Sequence, residues 1–130
     1  SDRFASQLSA IKIDNNSLRK ILKNYLSLFK LALSQEGHMC LCGMLGSETT
    51  SLPIKVRNQT QKFFDLNVEW LCRQFEMPNR NGKALTSKQA KLKAQLFLST
   101  LEGAMILAKS SGSMEQFNDI GIAAIANLTD

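Results

Sequence analysis

The stretch from Ser87 to Lys109 constrains the fold more than any other part of this chain. It has no proline and a single glycine, Gly103, and Ala, Leu, Lys and Gln dominate it, so propensity predicts a long α-helix. Wound at about 100° per residue, its apolar side chains fall into two arcs instead of one. The broad arc holds Ala90, Ala94, Phe97, Leu98, Leu101, Ala104, Met105 and Ala108, and the narrow arc holds Leu92, Leu96, Gly103 and Leu107. Polar seams separate them: Lys91, Gln95, Ser99 and Glu102 on one side, Lys93 and Thr100 on the other. A surface helix of a monomer needs one apolar stripe, so a second stripe calls for a second partner. The broad arc is expected to face the core and the narrow arc another copy of the chain; burial of both within one domain is the alternative.

A chain of 130 residues is long enough for one domain with a real core. Its best apolar run, Ala94 to Ala108, is broken by Gln95, Ser99, Thr100 and Glu102 and falls short of the ~20 residues of a membrane span. Nothing at Ser1-Asp2-Arg3-Phe4 resembles a signal peptide, so a cytoplasmic protein with no membrane partner is expected. The net charge of +5 raises the question of nucleic-acid binding. The basic residues, however, are spread along the polar sides of helices (Arg19, Lys23, Lys30, Lys62, Arg73, Lys91), without an aromatic-interleaved cluster. Three cysteines, Cys40, Cys42 and Cys72, make an odd count in apolar contexts, which fits reduced, buried thiols better than a disulfide framework.

Taken in order, the chain predicts about six helices. Phe4, Leu8 and Ile11 share one face of a short first helix within 1–13, which is expected to begin upstream of Ser1. Asp14-Asn15-Asn16-Ser17 is a stop and restart, with Ser17 or Asp14 as N-cap. Leu18, Ile21, Leu22, Tyr25, Leu28, Phe29 and Ala32 then keep helical spacing until Gly37. His38 to Thr50 is apolar and rich in small residues, as in a helix buried on most sides. After Pro53 a fourth stripe runs through Val56, Thr60, Phe63, Phe64, Asn67, Trp70, Leu71 and Phe75. A loop follows at 77–82. Thr86 to Gln89 and Ser113 to Gln116 both read as capping boxes. The last helix carries Phe117, Ile120, Gly121, Ala124 and Leu128 on one side. No strand pattern or repeat is found, and the fold class is all-α, a single-domain helical bundle.

Little in the chain promises catalysis or a metal site. His38 and Cys42 share a helix face, but Cys40 points elsewhere and Cys72 would have to arrive from another helix; structural zinc wants four ligands. The acids Asp65, Glu69, Glu76, Glu102, Glu115 and Asp119 show no convergent pair. No enzyme, cofactor or metal is therefore expected. Asn67, an amide within an aromatic stripe, either satisfies a buried partner or projects into a cavity. With Tyr25, Met39, Phe63, Trp70, Phe97, Leu101 and Met105 it would line an apolar pocket with a few polar handles; an ordinary core is the alternative.

Several segments carry a family resemblance. Cys40-Leu41-Cys42-Gly43-Met44-Leu45-Gly46-Ser47-Glu48 with Leu52-Pro53 and Val56-Arg57, Leu101-Glu102-Gly103-Ala104-Met105-Ile106-Leu107-Ala108-Lys109, and the closing helix from Phe117 to Leu128 resemble the C-terminal regulatory domain of TetR/AcrR-family transcriptional regulators. The resemblance implies that residues 1–130 are an effector-binding and dimerisation domain, with 1–13 the tail of the helix that connects it to a DNA-binding head absent from this chain. The last two long helices would pair with those of a second subunit as a four-helix bundle, through Leu92, Leu96, Gly103 and Leu107 on one helix and Phe117, Ile120, Gly121 and Ala124 on the other. The core would hold a small apolar effector on Tyr25, Met39, Phe63, Asn67, Trp70, Phe97, Leu101 and Met105. DNA would be contacted only through the missing head. A helical protein-interaction module without a ligand is the rival reading, and a thiol- or metal-dependent enzyme at His38, Cys40 and Cys42 the third.

Overall fold

The computed structural model describes residues 2–11, 17–35, 54–78 and 82–129, with side chains left out at 2–4, 32–35, 55 and 56. Among these residues there are five helices and no strand: α1 (Asp2–Ser9), α2 (Leu18–Gln35), α3 (Ile54–Phe75), α4 (Ser87–Ser111) and α5 (Met114–Leu128). The expected helix over His38 to Thr50, with Met39, Cys40 and Cys42, lies outside the described residues.

Local chemistry sets the helix ends. Ser17 starts α2, its carbonyl accepting from the Ile21 amide at 3.0 Å and its hydroxyl from the Lys20 amide at 3.4 Å. Thr86 opens α4 with a complete capping box: its hydroxyl accepts from the Gln89 amide at 3.1 Å, and the Gln89 side chain accepts from the Thr86 amide at 3.0 Å. Gly112 ends α4 at φ 72°, a left-handed conformation that suits glycine. The second capping box is only half formed. Ser113 accepts from the Gln116 amide at 3.2 Å, but the Gln116 side chain turns away to accept from the Ser111 hydroxyl at 2.8 Å.

The long helix α4 is the centre of the bundle. It packs against α3 on one side and α5 on the other, while α2 meets both α5 and α3. Every member of its broad arc is buried, from Ala90 to Ala108. Leu8 brings α1 into the same core, alongside Ile21, Leu22, Phe29, Leu71 and Phe75. Two lysines tie the elements together. Lys30 on α2 donates to Asn118 Oδ1 at 2.9 Å, and Lys93 on α4 donates to the Leu128 carbonyl at 3.0 Å, at the negative end of the α5 dipole.

The narrow arc of α4 faces out. Leu92, Leu96 and Leu107 are 58%, 56% and 53% exposed in the chain, and a side chain built at Gly103 would meet nothing within 4 Å. Among the described residues, only the broad arc is buried within the domain. On α5 the expected interface residues face the other way. Phe117 is fully buried, Ala124 is buried, and a Cβ at Gly121 would lie 2.5 Å from Leu26 Cδ1. Those three face the interior of the chain itself, and the missing side chain at Gly121 lets Leu26 of α2 approach closely; Ile120 is only half-buried. The outward side of α5 instead carries Ile122, Ala123 and Ala126.

Candidate functional site

The residues expected to line an apolar pocket are brought together, but they fill the space they share. Tyr25 stacks on Trp70 with ring centroids 5.5 Å apart and tilts against Phe29 and Phe97 at 5.0 and 5.9 Å. Leu101 and Met105 are fully buried beside them, and Phe63 is buried as well. Asn67 has both ends of its amide occupied. The Tyr25 hydroxyl donates to Oδ1 at 2.5 Å, and Nδ2 donates to the Phe63 carbonyl at 2.8 Å. Of the two roles open to Asn67, satisfaction of a buried partner is the one observed. Met39 lies outside the described residues.

Open space lies one helix face away. A groove of about 990 Å³ runs between α3 and α4, lined by Phe64, Val68, Leu98 and Ile106 as its apolar part. Its α4 wall is the polar seam Lys91, Gln95, Ser99 and Glu102. Its α3 wall contains Asp65, Glu69, Cys72 and Glu76, with Arg73 and Gln61 beside them. Four acids that look scattered along the sequence therefore converge on one groove. The signal was present: 65, 69, 72 and 76 follow helical spacing on one face of α3, as 91, 95, 99 and 102 do on α4. Periodicity could mark each stripe, but not that the two face each other.

The groups within this groove differ in how they are satisfied. Arg73 pairs with Glu69 at 3.7 Å, an exposed contact of small energetic weight. Glu76 accepts from the Ser87 hydroxyl at 3.2 Å and from the Cys72 thiol at 3.6 Å. Burial, reinforced by Glu76, pushes the Cys72 thiol up, so it is a protonated thiol and a poor nucleophile. Glu102 is the exception. Both carboxylate oxygens are out of water, and neither has a hydrogen-bond partner among the described residues. Burial raises its carboxyl from the ordinary 4.5 to about 8. Its charge also reaches the aromatic core: burial first, and Glu102 second, hold the Tyr25 phenol well above 10.0. Glu102 thus lies at the boundary between core and groove. Among the described residues no group of three or more His, Cys, Asp or Glu is placed to hold a metal ion, and no helix is long and apolar enough to cross a membrane.

No family model matches the chain, and no curated protein does. Among solved structures the chain is similar to a TetR transcriptional regulator from Legionella pneumophila, with a TM-score of 0.82 and 30% sequence identity. The match covers 99% of this chain and 67% of that one. An all-α fold shared over nearly every residue at that identity places this chain in the TetR family of transcriptional regulators.

Proposed function

We propose that residues 1–130 form the effector-binding and dimerisation domain of a TetR-like regulator, probing a small molecule in the groove between α3 and α4 and pairing with a second copy through the outward faces of α4 and α5. The observation that carries the pairing is the exposed apolar stripe of Leu92, Leu96 and Leu107 opposite the buried face of the same helix. Gly103 supports it. A glycine inside a helix costs about 0.5–1 kcal/mol relative to alanine, and no neighbour among the described residues requires its small size. A second helix crossing closely at that point would. On α5 the matching surface is Ile122, Ala123 and Ala126, in place of Phe117, Gly121 and Ala124.

Effector response follows from the continuity of the core. Leu8 of α1 sits in one cluster with Trp70, Leu71, Leu98 and Leu101 of the two helices that form the groove. A ligand that shifts α3 against α4 is felt at α1, which in this reading is the tail of a connecting helix leading to a DNA-binding head. A change in the spacing of two heads would break their match to successive major grooves. By linkage, an effector acting this way binds the DNA-incompetent arrangement more tightly than the competent one.

The test is the oligomeric state. The chain is expected to sediment as a dimer burying at least ~1,200 Å² in total, and Gly103→Arg is expected to give monomer or aggregate. An unperturbed Gly103→Arg dimer would remove Gly103 from the interface. A parent chain that is monomeric by light scattering would favour the helical interaction module instead.

A further inference from the structure

The groove between α3 and α4 carries four carboxylates, Asp65, Glu69, Glu76 and Glu102, against two cations, Arg73 and Lys91. Arg73 is already engaged by Glu69, and Glu76 already has two donors. What the groove lacks is a donor for Glu102, whose two oxygens are buried and unpartnered among the described residues. A like-charged ligand would meet four acids, and a neutral one would leave a desolvated carboxyl with at most part of its bonding capacity used. An ammonium supplies both the N–H donors and the charge. The ring of Phe64 adds a surface that tolerates a cation, and Val68, Leu98 and Ile106 accept hydrocarbon.

We propose that this groove takes an amphipathic organic amine, with its hydrocarbon part on Phe64, Val68, Leu98 and Ile106 and its ammonium on the Glu102 carboxylate, which turns out of its buried position into the groove to meet it. The proposal rests on the reading of this chain as an effector-binding domain and specifies the class of its ligand. Binding has a proton cost that can be read directly. Along the same groove lie Asp65, Glu69, Cys72, Arg73 and Glu76 of α3 and Lys91 of α4; Glu76 sits by Ser87 at the far end of α4. Burial alone accounts for the raised Glu102 carboxyl, and Tyr25 of α2 is the titratable group that its charge reaches. With its carboxyl at about 8, Glu102 is mostly protonated at neutral pH. Pairing with an ammonium therefore sends the Glu102 proton to the buffer, while the amine keeps its own.

Titration calorimetry of the 130-residue chain with decylamine, decanol and decanoate, in two buffers of different ionisation enthalpy, tests this. Decylamine is expected to bind at least about tenfold tighter than decanol, with decanoate weakest. Near pH 7 each amine bound should release close to one proton, and near pH 9 far less. Glu102→Gln should lower decylamine affinity about tenfold or more, abolish the proton release and leave decanol binding within about twofold. Decanol or decanoate binding as tightly as decylamine would overturn the amine while leaving an effector-binding groove in place. Unchanged decylamine affinity in Glu102→Gln would overturn the role of Glu102. Failure of all three probes to bind a chain that still dimerises would overturn the groove as a ligand site and the effector reading with it.

Discussion

Two polar side chains stand on facing helices with opposite fates, Asn67 on α3 and Glu102 on α4. Asn67 is fully buried, and its amide is used at both ends, by the Tyr25 hydroxyl and the Phe63 carbonyl. Glu102 has its oxygens equally hidden from water and no partner for either among the described residues. Their surroundings account for the difference. Around Asn67 the rings of Tyr25, Trp70 and Phe97 close the space, and a neutral amide is satisfied by one hydroxyl and one carbonyl. Around Glu102 a groove remains, and a carboxylate asks for charged or multiple donors that the described residues do not place there, so burial holds its proton. A filled and satisfied volume stabilises the fold. A groove with an unsatisfied group is where a ligand can gain free energy that the protein alone cannot.

The largest expected effect is in the filled region. Phe97→Ala should cost about 3–5 kcal/mol in denaturant unfolding, from lost burial and the void left among Tyr25, Leu101 and Met105. A loss below about 1 kcal/mol would mean the core is loosely packed and would move the binding site back toward Asn67. Next comes the groove. As pH rises the unfolded chain gives up the Glu102 proton near 4.5, whereas the folded chain holds it to about 8. The unfolded state thus binds fewer protons in between. The contribution of Glu102 to stability is intact below about 4.5, is lost as pH climbs to about 8, and is flat above. Relative to the parent, Glu102→Gln should therefore remove that slope and be about 2–3 kcal/mol more stable in alkaline buffer, the full shift being discounted for water in the groove. Parallel stability curves for the two proteins would put the carboxylate in solvent and erase the contrast with Asn67. Smallest is the hydrogen bond itself. Tyr25→Phe should cost about 1–2 kcal/mol by leaving Asn67 Oδ1 buried without a donor, and thermal unfolding would detect it; no change would mean that water replaces the hydroxyl.

The helices and their ends were largely legible because they depend on near neighbours. Thr86 and Gln89 lie three residues apart, and their reciprocal bonds form as the spacing implies. The second box failed halfway because Ser111, from the preceding helix, competes for the Gln116 side chain. The same limit governs the last helix. Its apolar stripe was read correctly as a stripe, but Phe117 and Gly121 turn toward the chain's own interior, with Leu26 resting where a Cβ at Gly121 would stand. The groove between α3 and α4 escapes the sequence for a related reason. Large aromatic residues at helical spacing identify what is buried, and buried rings that fit one another leave no room.

What the sequence determined by itself is a set of helices, their caps, and one helix with apolar residues on two opposite sides. Those follow from interactions within three or four residues and from the 3.6-residue turn. What only the tertiary structure decided is which polar group and which apolar face stay without a partner among the described residues. Those outcomes depend on groups far apart in the chain: Tyr25 reaches Asn67 across 42 positions, and the acids of α3 meet the seam of α4 across an intervening loop. Periodicity tells which side chains share a face, and only packing tells what that face meets.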